Sequence, residues 1–344
     1  MMEAIRFEQF GGTLSLVKVA NPRAIAKSVV IKVMATGLCR SDWHAWMGHD
    51  TGITLPHIPG HEFAGVIVEI GSEVQNFQVG DRVTVPFVCG CGICNYCLRG
   101  DAQVCPFQTQ PGFTHFGSFA QDVEIHNADF NLVRLPDELS FESAASLGCR
   151  FATSFRGLVD RAKVQVDDFV AIIGCGGVGL SAIMIAKAFG ARTIAVDISD
   201  LALAKAKAIG ADFIINSGKS DALVEVLTLT GDGADIAIDA LGSEATSTLG
   251  ILALRRRGKY LQLGLLPSES GKSSIPMARA IAYELDLLGS HGMAAADYPR
   301  LLEMVSNGKL RPDLLIEERI SFADIPEALA NFANRTVSGI TIAL

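Results

Sequence analysis

The stretch F-V-A-I-I-G-C-G-G-V-G, residues 169–179, decides the fold of this chain. Its first five residues are apolar and predict a buried strand, and the pattern Gly174-x-Gly176-x-x-Gly179 then opens the apolar helix LSAIMIAKAFG. A second predicted strand, RTIAVDI, carries Asp197, 23 residues after Gly174. The glycine pattern alone is weak evidence. With a strand, a helix and an acidic residue in these places, it indicates a dinucleotide-binding βαβ unit.

The glycine loop predicts the contacts of a dinucleotide cofactor. The first glycine makes the turn, the second lets the backbone approach the pyrophosphate, and the third lets helix and strand pack, while the helix N-terminus faces the negative charge. Asp197 would accept hydrogen bonds from the ribose hydroxyls and repel a 2′-phosphate, so NAD is favoured over NADP. The residues of the loop and of the helix start that we expect to contact the dinucleotide are Gly174, Gly176, Gly177, Val178 and Gly179.

Strands and helices continue to alternate after this loop. Further strands are predicted at 212–216, 235–241, 259–265 and 286–292, which with the first two make about six. We therefore expect a doubly wound parallel sheet, a Rossmann domain, over residues 151–292.

The flanking segments predict a second domain of a different kind. Residues 1–150 are β-rich, with apolar runs at 29–36, 63–71 and 81–87 that Gly and Pro interrupt. The last segment, 293–344, predicts helices at 298–307 and 325–334 and a final strand at 338–344. We expect residues 1–150 to form a twisted, barrel-like catalytic domain that residues 293–344 complete.

Metal-ligand chemistry is concentrated between Gly37 and Glu62. Cys39, His61 and Glu62 supply a thiolate, an imidazole and a carboxylate, and a catalytic zinc needs three protein ligands because one position stays open. Cys149, in LGCRF, is the candidate for a distant further ligand, since the remaining thiols sort elsewhere. Any one of these residues alone would more often be a packing residue. Their combination predicts a catalytic zinc site.

Two further residues suggest a path for protons. Ser41 and His44 follow Cys39 by two and five residues, which places a hydroxyl and an imidazole beside the same metal. The alternative is that His44 only donates a hydrogen bond to the cofactor.

A second thiol cluster has the spacing C-x2-C-x2-C-x7-C and comprises Cys91, Cys94, Cys97 and Cys105. Four thiolates can close a tetrahedron around one zinc and leave no open position, as structural sites do. Disulfides would need an oxidising compartment, and iron–sulfur clusters usually have other spacings. Cys89 is left over and is expected to be a free thiol.

Charge and composition exclude several classes of protein. A net charge of −8 argues against a nucleic-acid partner, and we expect the basic triplet Arg255–Arg257 to be a solvated helix end. The N-terminus lacks an apolar secretory segment, and glycines interrupt the uncharged stretch 169–186. We therefore expect neither membrane insertion nor secretion, and a cytoplasmic location.

The order GLCRSDWH, GHE, four-Cys lobe, LGC and GCGGVG resembles the zinc-dependent medium-chain alcohol dehydrogenases over essentially the whole chain. The resemblance implies a GroES-like catalytic domain and reversible, NAD-dependent oxidation of alcohols to aldehydes or ketones by a homo-oligomer, a tetramer or a dimer. It also implies one zinc on Cys39, His61 and Cys149 with Glu62 as an occasional ligand, a second zinc on the four-Cys lobe, and Asp42 as the residue that orients His61.

Some details depart from the family pattern or stay open. Ala202 and Ile340 stand where many relatives carry basic cofactor contacts, which leaves Arg40 as the obvious cation for the pyrophosphate. We expect the substrate pocket to be lined by aromatic residues: Phe87, Trp46 and Trp43. Cys149 favours simple alcohols, with a polyol or sugar dehydrogenase as the alternative. A zinc-ribbon protein or a regulatory NAD-binding protein is a more remote alternative.

Overall fold

The computed structural model describes residues 1–266, 274–332 and 339–344, and the chain divides into two units. Unit 1 comprises Met1–Ala152, Gly292–Gly308 and Ile316–Leu344, and unit 2 comprises Thr153–His291 and Lys309–Leu315. The sequence placed boundaries after residues 150 and 292. It did not anticipate the short return of 309–315 to unit 2.

The elements are numbered in chain order. The strands are β1 Met2–Arg6, β2 Ser15–Val19, β3 Val29–Leu38, β4 Glu62–Ile70, β5 Arg82–Thr84, β6 Asp122–Ile125, β7 Val133–Arg134, β8 Phe169–Ile173, β9 Arg192–Asp197, β10 Phe213–Asn216, β11 Ala234–Asp239, β12 Leu254–Gln262, β13 Asp286–Gly289, β14 Ile316–Ile320 and β15 Ile340–Ala343. The α-helices are α1 Arg40–Trp46, α2 Asn95–Leu98, α3 Ala128–Asn131, α4 Phe141–Ala145, α5 Ala152–Arg156, α6 Gly177–Ala188, α7 Asp200–Ala208, α8 Ala222–Thr230, α9 Glu244–Leu252, α10 Met277–Tyr283, α11 Tyr298–Ser306 and α12 Ile325–Ala330. Leu147–Phe151 and Gly157–Ala162 are π-helical, and short 3-10 turns lie at Ala102–Val104, Ala295–Asp297, Pro312–Leu315 and Phe322–Asp324.

Unit 2 is built on a six-stranded sheet in the order β10-β9-β8-β11-β12-β13. Every neighbouring pair is parallel, and strands β8 and β9 are buried apolar runs, as expected for a sheet covered on both faces. The order reverses beside β8, so the loop that follows β8 lies at the switch point where such sheets bind ligands. The predicted doubly wound fold is confirmed.

Unit 1 is built on a largely antiparallel sheet in the order β14-β15-β3-β4-β5-β7, with β6 also paired to β3. Alternate residues of neighbouring strands, among them Ile31, Phe63 and Val83, bury their side chains in one core. The β-rich character predicted for residues 1–150 is confirmed. Strand β3 ends where β4 begins, with Gly37 opposite Glu62, so the residues after β3 and before β4 lie side by side.

Several element predictions need correction. The triplet Arg255–Arg257 lies in β12 rather than at a helix end, at a register shift where Arg257 adopts a positive φ of 61°. Strand β5 covers only 82–84, and the helix predicted at 325–334 ends at Ala330, while residues 333 and 334 and the start of the last predicted strand fall outside the described residues. The stretch 169–186 is a strand and a helix, β8 and α6. Within the described residues, no helix has both the length and the apolar character needed to span a bilayer.

Candidate active site

The structure brings the predicted catalytic zinc ligands together. One ligand atom each from Cys39, His61, Glu62 and Cys149 lies within 4.8 Å of the others. Cys39 follows β3 and His61 precedes β4, so the pairing of these strands sets them side by side. Cys149 arrives on the π-helical turn between α4 and α5. We call these four residues the catalytic cluster.

His61 is fully buried and oriented by Asp42. Its Nδ1 lies 2.7 Å from Asp42 Oδ1, which also accepts from the Gly60 N–H, and Asp42 Oδ2 accepts from the Cys39 N–H at 2.9 Å. The second ring nitrogen, Nε2, is buried and has no hydrogen-bond partner within the described part of the chain. Buried polar atoms are rarely left unpaired, so this nitrogen is available as a metal ligand.

The acid–base state of the cluster also suits a cation. Burial lowers the pKa of His61, but the charge and the hydrogen bond of the Asp42 carboxylate raise it by more. The pKa of His61 is therefore well above its usual value. A hydrogen bond between the two thiols lowers the pKa of Cys39 and raises the pKa of Cys149. The cluster therefore holds exchangeable protons on an imidazole and a thiol, which are the protons that a bound metal ion releases.

Glu62 is engaged by Arg150, a residue that the sequence analysis missed. Glu62 Oε1 accepts from the backbone N–H groups of Cys149 and Arg150 and from Arg150 Nε, each at 3.1 Å, and Oε2 accepts from Arg150 Nη2. Glu62 is 0 % exposed and Arg150 6 %. Burial raises the pKa of Glu62, while the Arg150 guanidinium opposes that rise. The signal in the sequence was a basic residue directly after Cys149, where burial beside a metal would demand an anionic partner.

The predicted proton-path residues lie on or beside helix α1. Ser41 Oγ is 3.8 Å from Cys39 Sγ, and His44, one turn further, is half-buried. Burial lowers the pKa of His44, and the charges of His49 and Arg40 lower it further. Arg40 begins the helix and is exposed.

Aromatic rings flank the catalytic cluster, but not all of those predicted. The rings of Phe87 and Phe113 lie 6.0 Å and 5.2 Å from the ring of His61. Phe113 was missed because it sits in an irregular loop with no periodic pattern around it. Trp46 was placed in the pocket wrongly: it packs in a hydrophobic core, and its Nε1 donates to the Gly12 carbonyl. Trp43 is partly buried against the rings of His44 and His49.

The four-Cys lobe forms a second group whose ligand atoms lie within 4.8 Å of one another. The sulfur–sulfur distances are 3.5 Å for Cys94–Cys97, 3.7 Å for Cys94–Cys105 and 4.0 Å for Cys91–Cys97. Zinc–sulfur bonds of about 2.3 Å in a tetrahedron require about 3.8 Å between sulfurs. The four thiols therefore fit one zinc, and all eight cysteines are free of disulfides. Cys89 is a buried free thiol, and burial raises its pKa to about 12.

The loop from β8 to α6 has the shape required for a pyrophosphate. A Cβ on Gly179 would stand 1.8 Å from the Gly174 carbonyl oxygen, whereas a Cβ on Gly176 would meet no atom of the described residues within 4 Å. Helix α6 has no side-chain cap, so its N-terminus is available to an anion. Asp197 accepts hydrogen bonds from the N–H groups of Cys175 at 2.7 Å and Ser199 at 2.9 Å, which fix the carboxylate at the end of β9.

The two departures from the family pattern have structural explanations. Ala202 is buried in α7, and Ile340 is a fully buried residue of β15 opposite Ile316. Both positions are apolar because they pack in the interior of their units.

Comparison with known proteins agrees with this geometry. Residues 26–137 match the family described as alcohol dehydrogenase GroES-like domain, and residues 177–307 match the family described as zinc-binding dehydrogenase. An NAD-dependent alcohol dehydrogenase of Sulfurisphaera tokodaii is 33% identical over 344 residues, covering 97% of both chains. A sorbitol dehydrogenase of Bacillus subtilis is 36% identical over 309 residues, covering 88% of this chain and 85% of the relative.

A solved alcohol dehydrogenase from Thermus sp. ATN1 superimposes with a TM-score of 0.91 at 27% identity, covering 100% of this chain and 99% of the other. Similarity of sequence and of fold extends over both units and includes the segments that carry the two thiol groups. The chain belongs to the zinc-dependent medium-chain alcohol dehydrogenase family.

Proposed function

We propose that this chain oxidises alcohols to aldehydes or ketones, and reduces them in reverse, with NAD as hydride acceptor and zinc at the catalytic cluster. The observation that carries the proposal is the buried His61 imidazole, fixed by Asp42 through Nδ1 and without a hydrogen-bond partner at Nε2 among the described residues, next to the thiols of Cys39 and Cys149. Two thiolates and one imidazole are the ligand set of zinc in alcohol dehydrogenase.

Cys39, His61 and Cys149 would hold the ion, which when bound supplies Lewis acidity to the alcohol oxygen. Asp42 keeps the proton of His61 on Nδ1, so that the lone pair of Nε2 is free for the metal. Arg150 neutralises Glu62 and donates hydrogen bonds to both of its carboxylate oxygens. This arrangement supports Glu62 as a carboxylate beside the ion rather than as one of its ligands.

Ser41 and His44 would carry the proton released by the alcohol. The Ser41 hydroxyl lies beside Cys39 and would be the first acceptor, and His44 would receive the proton after it, with the ribose of a bound cofactor supplying hydroxyl groups between the two. Because its pKa is lowered, His44 is neutral near pH 7 and can accept that proton.

The NAD contacts would come from Arg40, the glycine loop and Asp197. Since the Asp197 carboxylate is fixed by two backbone N–H groups, it cannot move aside for a 2′-phosphate without breaking them. We expect NAD to exceed NADP in kcat/KM by about a hundredfold, and Asp197→Gly to narrow the gap. Equal use of both cofactors by the parent enzyme would refute the role of Asp197.

Three finer features complete the proposal. Cys91, Cys94, Cys97 and Cys105 would hold a structural zinc, giving two zinc ions per chain. The chain would act as a homo-oligomer, a tetramer or a dimer. A cytoplasmic location is supported by eight free cysteines, which a reducing compartment preserves.

Simple alcohols are the preferred substrate class. The rings of Phe87 and Phe113 beside His61 favour an apolar group next to the reacting carbon. Oxidation of polyols is the second candidate, because a sorbitol dehydrogenase is among the similar proteins.

The deciding experiment measures NAD-dependent turnover of the zinc-loaded chain with short, branched, aromatic and polyol alcohols. We expect oxidation of the simple alcohols, loss of turnover in Cys39→Ala, and retention in Cys89→Ala, which removes a buried thiol outside both thiol groups. No turnover of any alcohol by the parent chain, or full turnover in Cys39→Ala, would overturn the proposal.

A further inference from the structure

His49, an exposed residue just after helix α1, makes a contact that the proposed chemistry has not used. Its Nδ1 lies 2.8 Å from Nδ1 of His44. A neutral imidazole carries one N–H and one lone pair. A hydrogen bond between two Nδ1 atoms therefore places a single proton between the rings, and one ring is the Nδ1–H tautomer while the other is the Nε2–H tautomer.

Several local features hold the two imidazoles in this contact. The N–H of His49 donates to the His44 carbonyl at 3.0 Å, and the ring of Trp43 lies edge-on to both imidazoles, at 5.0 Å and 5.7 Å. Gly48 turns the chain with a φ of 80°, and a Cβ there would stand 2.9 Å from the ring of Phe10. The backbone hydrogen bond, the turn at Gly48 and the Trp43 ring together hold the two imidazole rings next to each other.

The two histidines differ in solvent exposure. His44 is half-buried, and the groups whose charges act on it are His49, Arg40 and Cys39. His49 is exposed, and the following residue, Asp50, uses Oδ1 to accept from the Gly52 N–H. A proton on His44 is disfavoured by burial and by the charge of Arg40, so it has a reason to move outward.

We propose that His44 and His49 form a two-histidine exit that delivers the alcohol proton to solvent, with His49 acting through His44. A proton arriving at Nε2 of His44 forms an N–H bond there while the Nδ1–H of His44 breaks. That proton binds Nδ1 of His49, and the Nε2–H of His49 is lost to water. One proton enters and one leaves, and no group changes oxidation state. The tautomers are restored between turnovers by exchange with water at both rings: Nε2 of exposed His49 gains a proton, the shared proton returns to Nδ1 of His44, and Nε2 of half-buried His44 loses its proton.

The inference rests on the proposed alcohol oxidation, but a different experimental result would refute it. If the parent chain oxidises no alcohol, the proposed function falls. If the parent is active and His49→Gln has the same pH profile of kcat as the parent, only the two-histidine exit is refuted. Asp50→Asn is the matched control, because it removes a neighbouring charge while keeping the Oδ1 acceptor for Gly52.

The test is the pH profile of kcat for alcohol oxidation with NAD. We expect His49→Gln to lower kcat about five- to tenfold below pH 7 and little above pH 9, with an unchanged KM for NAD and partial rescue by imidazole buffer. Asp50→Asn should follow the parent. A fall in kcat that is equal at every pH and insensitive to imidazole would mean that His49 only positions the ring of His44, and it would overturn the exit.

A second measurement needs no turnover. In the zinc-loaded chain with nitrogen-15-labelled histidine, we expect the titration of His44 to move to higher pH in His49→Gln, because the opposing charge of His49 is lost. Assignment follows from the signal that disappears in His44→Gln. An unmoved His44 titration would show that the two rings are not coupled in solution.

Discussion

At the scale of single residues, the burial of Glu62 beside two thiols of the catalytic cluster requires compensation. An uncompensated carboxylate in the interior is costly, and Arg150 is the cation in contact with it. Arg150 follows Cys149 directly, so the segment that delivers Cys149 to the catalytic cluster also delivers the charge that neutralises Glu62. The same short segment therefore supplies both Cys149 and the charge that compensates the buried carboxylate.

We predict that Arg150→Met lowers the free energy of unfolding of the zinc-loaded chain by about 3–5 kcal/mol, because it leaves Glu62 buried without a cation. Adding Glu62→Gln should recover most of that loss. Urea unfolding measures both. Arg319→Met is the control, since Arg319 pairs with Glu142 at the surface, with side chains 52% and 27% exposed. A stable Arg150→Met chain would show that Glu62 is neutral without its partner.

A second residue-scale prediction concerns acid stability. Burial, together with the charge of His126, lowers the pKa of His115 to about 4, and its ring bonds to Thr114 and to the Glu124 carbonyl. Between pH 6.5 and about 4 the unfolded chain therefore binds a proton that the folded chain does not. Stability contributed by neutral His115 is complete above pH 6.5 and is lost as the pH falls towards 4, by about 3 kcal/mol in all.

His115→Gln keeps a side-chain N–H for the Glu124 carbonyl but cannot titrate. We expect parent and variant to have similar stability at pH 8, and the variant to gain on the parent by up to about 3 kcal/mol as the pH falls to 4. Chemical denaturation at a series of pH values measures the difference, which cancels acid effects common to both chains, such as metal loss. A difference that stays constant with pH would contradict the assignment.

At the scale of elements, the sequence predicted the parallel sheet of unit 2 almost strand by strand, because strands such as β8, β9 and β11 are short, mostly apolar and buried runs bounded by turn residues. It also predicted both thiol groups, since ligand types and spacing are local properties. It did not predict the π-helical turn at Leu147–Phe151, whose apolar spacing is that of an ordinary helix. That wider turn directs the N–H groups of Cys149 and Arg150 to Glu62, a partner 87 residues away from Cys149 in sequence.

The other failures have the same cause, namely contacts with distant residues. Arg255–Arg257 appears polar enough for a helix end, but Arg255 pairs with Asp235 of the neighbouring strand and the segment joins β12. Trp46 stands two residues from His44 along the chain, yet the helix turns it into a core that also contains Phe7 and Ile58. The period of the hydrophobic pattern and the spacing of turn residues predict helices and strands. The direction of a single side chain depends instead on which element packs beside it.

Two glycines of the β8–α6 loop allow folding and cofactor binding to be separated. Gly176 has φ −79° and ψ −166°, open to any residue, with free space around its Cβ position, whereas a Cβ on Gly179 would overlap the Gly174 carbonyl. We predict that Gly176→Ala keeps the parent's unfolding free energy but weakens NAD binding at least about tenfold, because the methyl group lies where the pyrophosphate approaches. Gly179→Ala should cost about 1–3 kcal/mol of stability.

Fluorescence titration with NADH and urea unfolding of both variants check this prediction. The variants serve as controls for each other, since each adds one methyl group to the same loop. Parental NADH affinity in Gly176→Ala would mean that the dinucleotide does not approach this backbone.

At the scale of the whole molecule, both thiol groups belong to unit 1, but they stand in different surroundings. The catalytic cluster is buried among residues of the unit 1 sheet. The four-Cys lobe has a small core, in which Cys97, Cys105, Ala102 and Ala294 are the buried members, while Ile93, Leu98 and Phe107 are 70–80% exposed. A lobe that buries so little apolar surface would depend on a bound metal for a defined structure.

We therefore predict a division of labour between two zinc ions. The parent chain should contain about two zinc ions, and Cys94→Ser and Cys39→Ser should each retain about one. Cys94→Ser should lower the midpoint of thermal unfolding by roughly 5–10 °C, because metal binding in the lobe is folding free energy, while the folded fraction keeps its turnover. Cys39→Ser should lose turnover with a smaller thermal shift, since the unit 1 sheet holds its cluster in place. Elemental analysis, calorimetry and turnover per folded chain separate these effects. Normal thermal stability with abolished turnover in Cys94→Ser would reverse the assignment of the two sites.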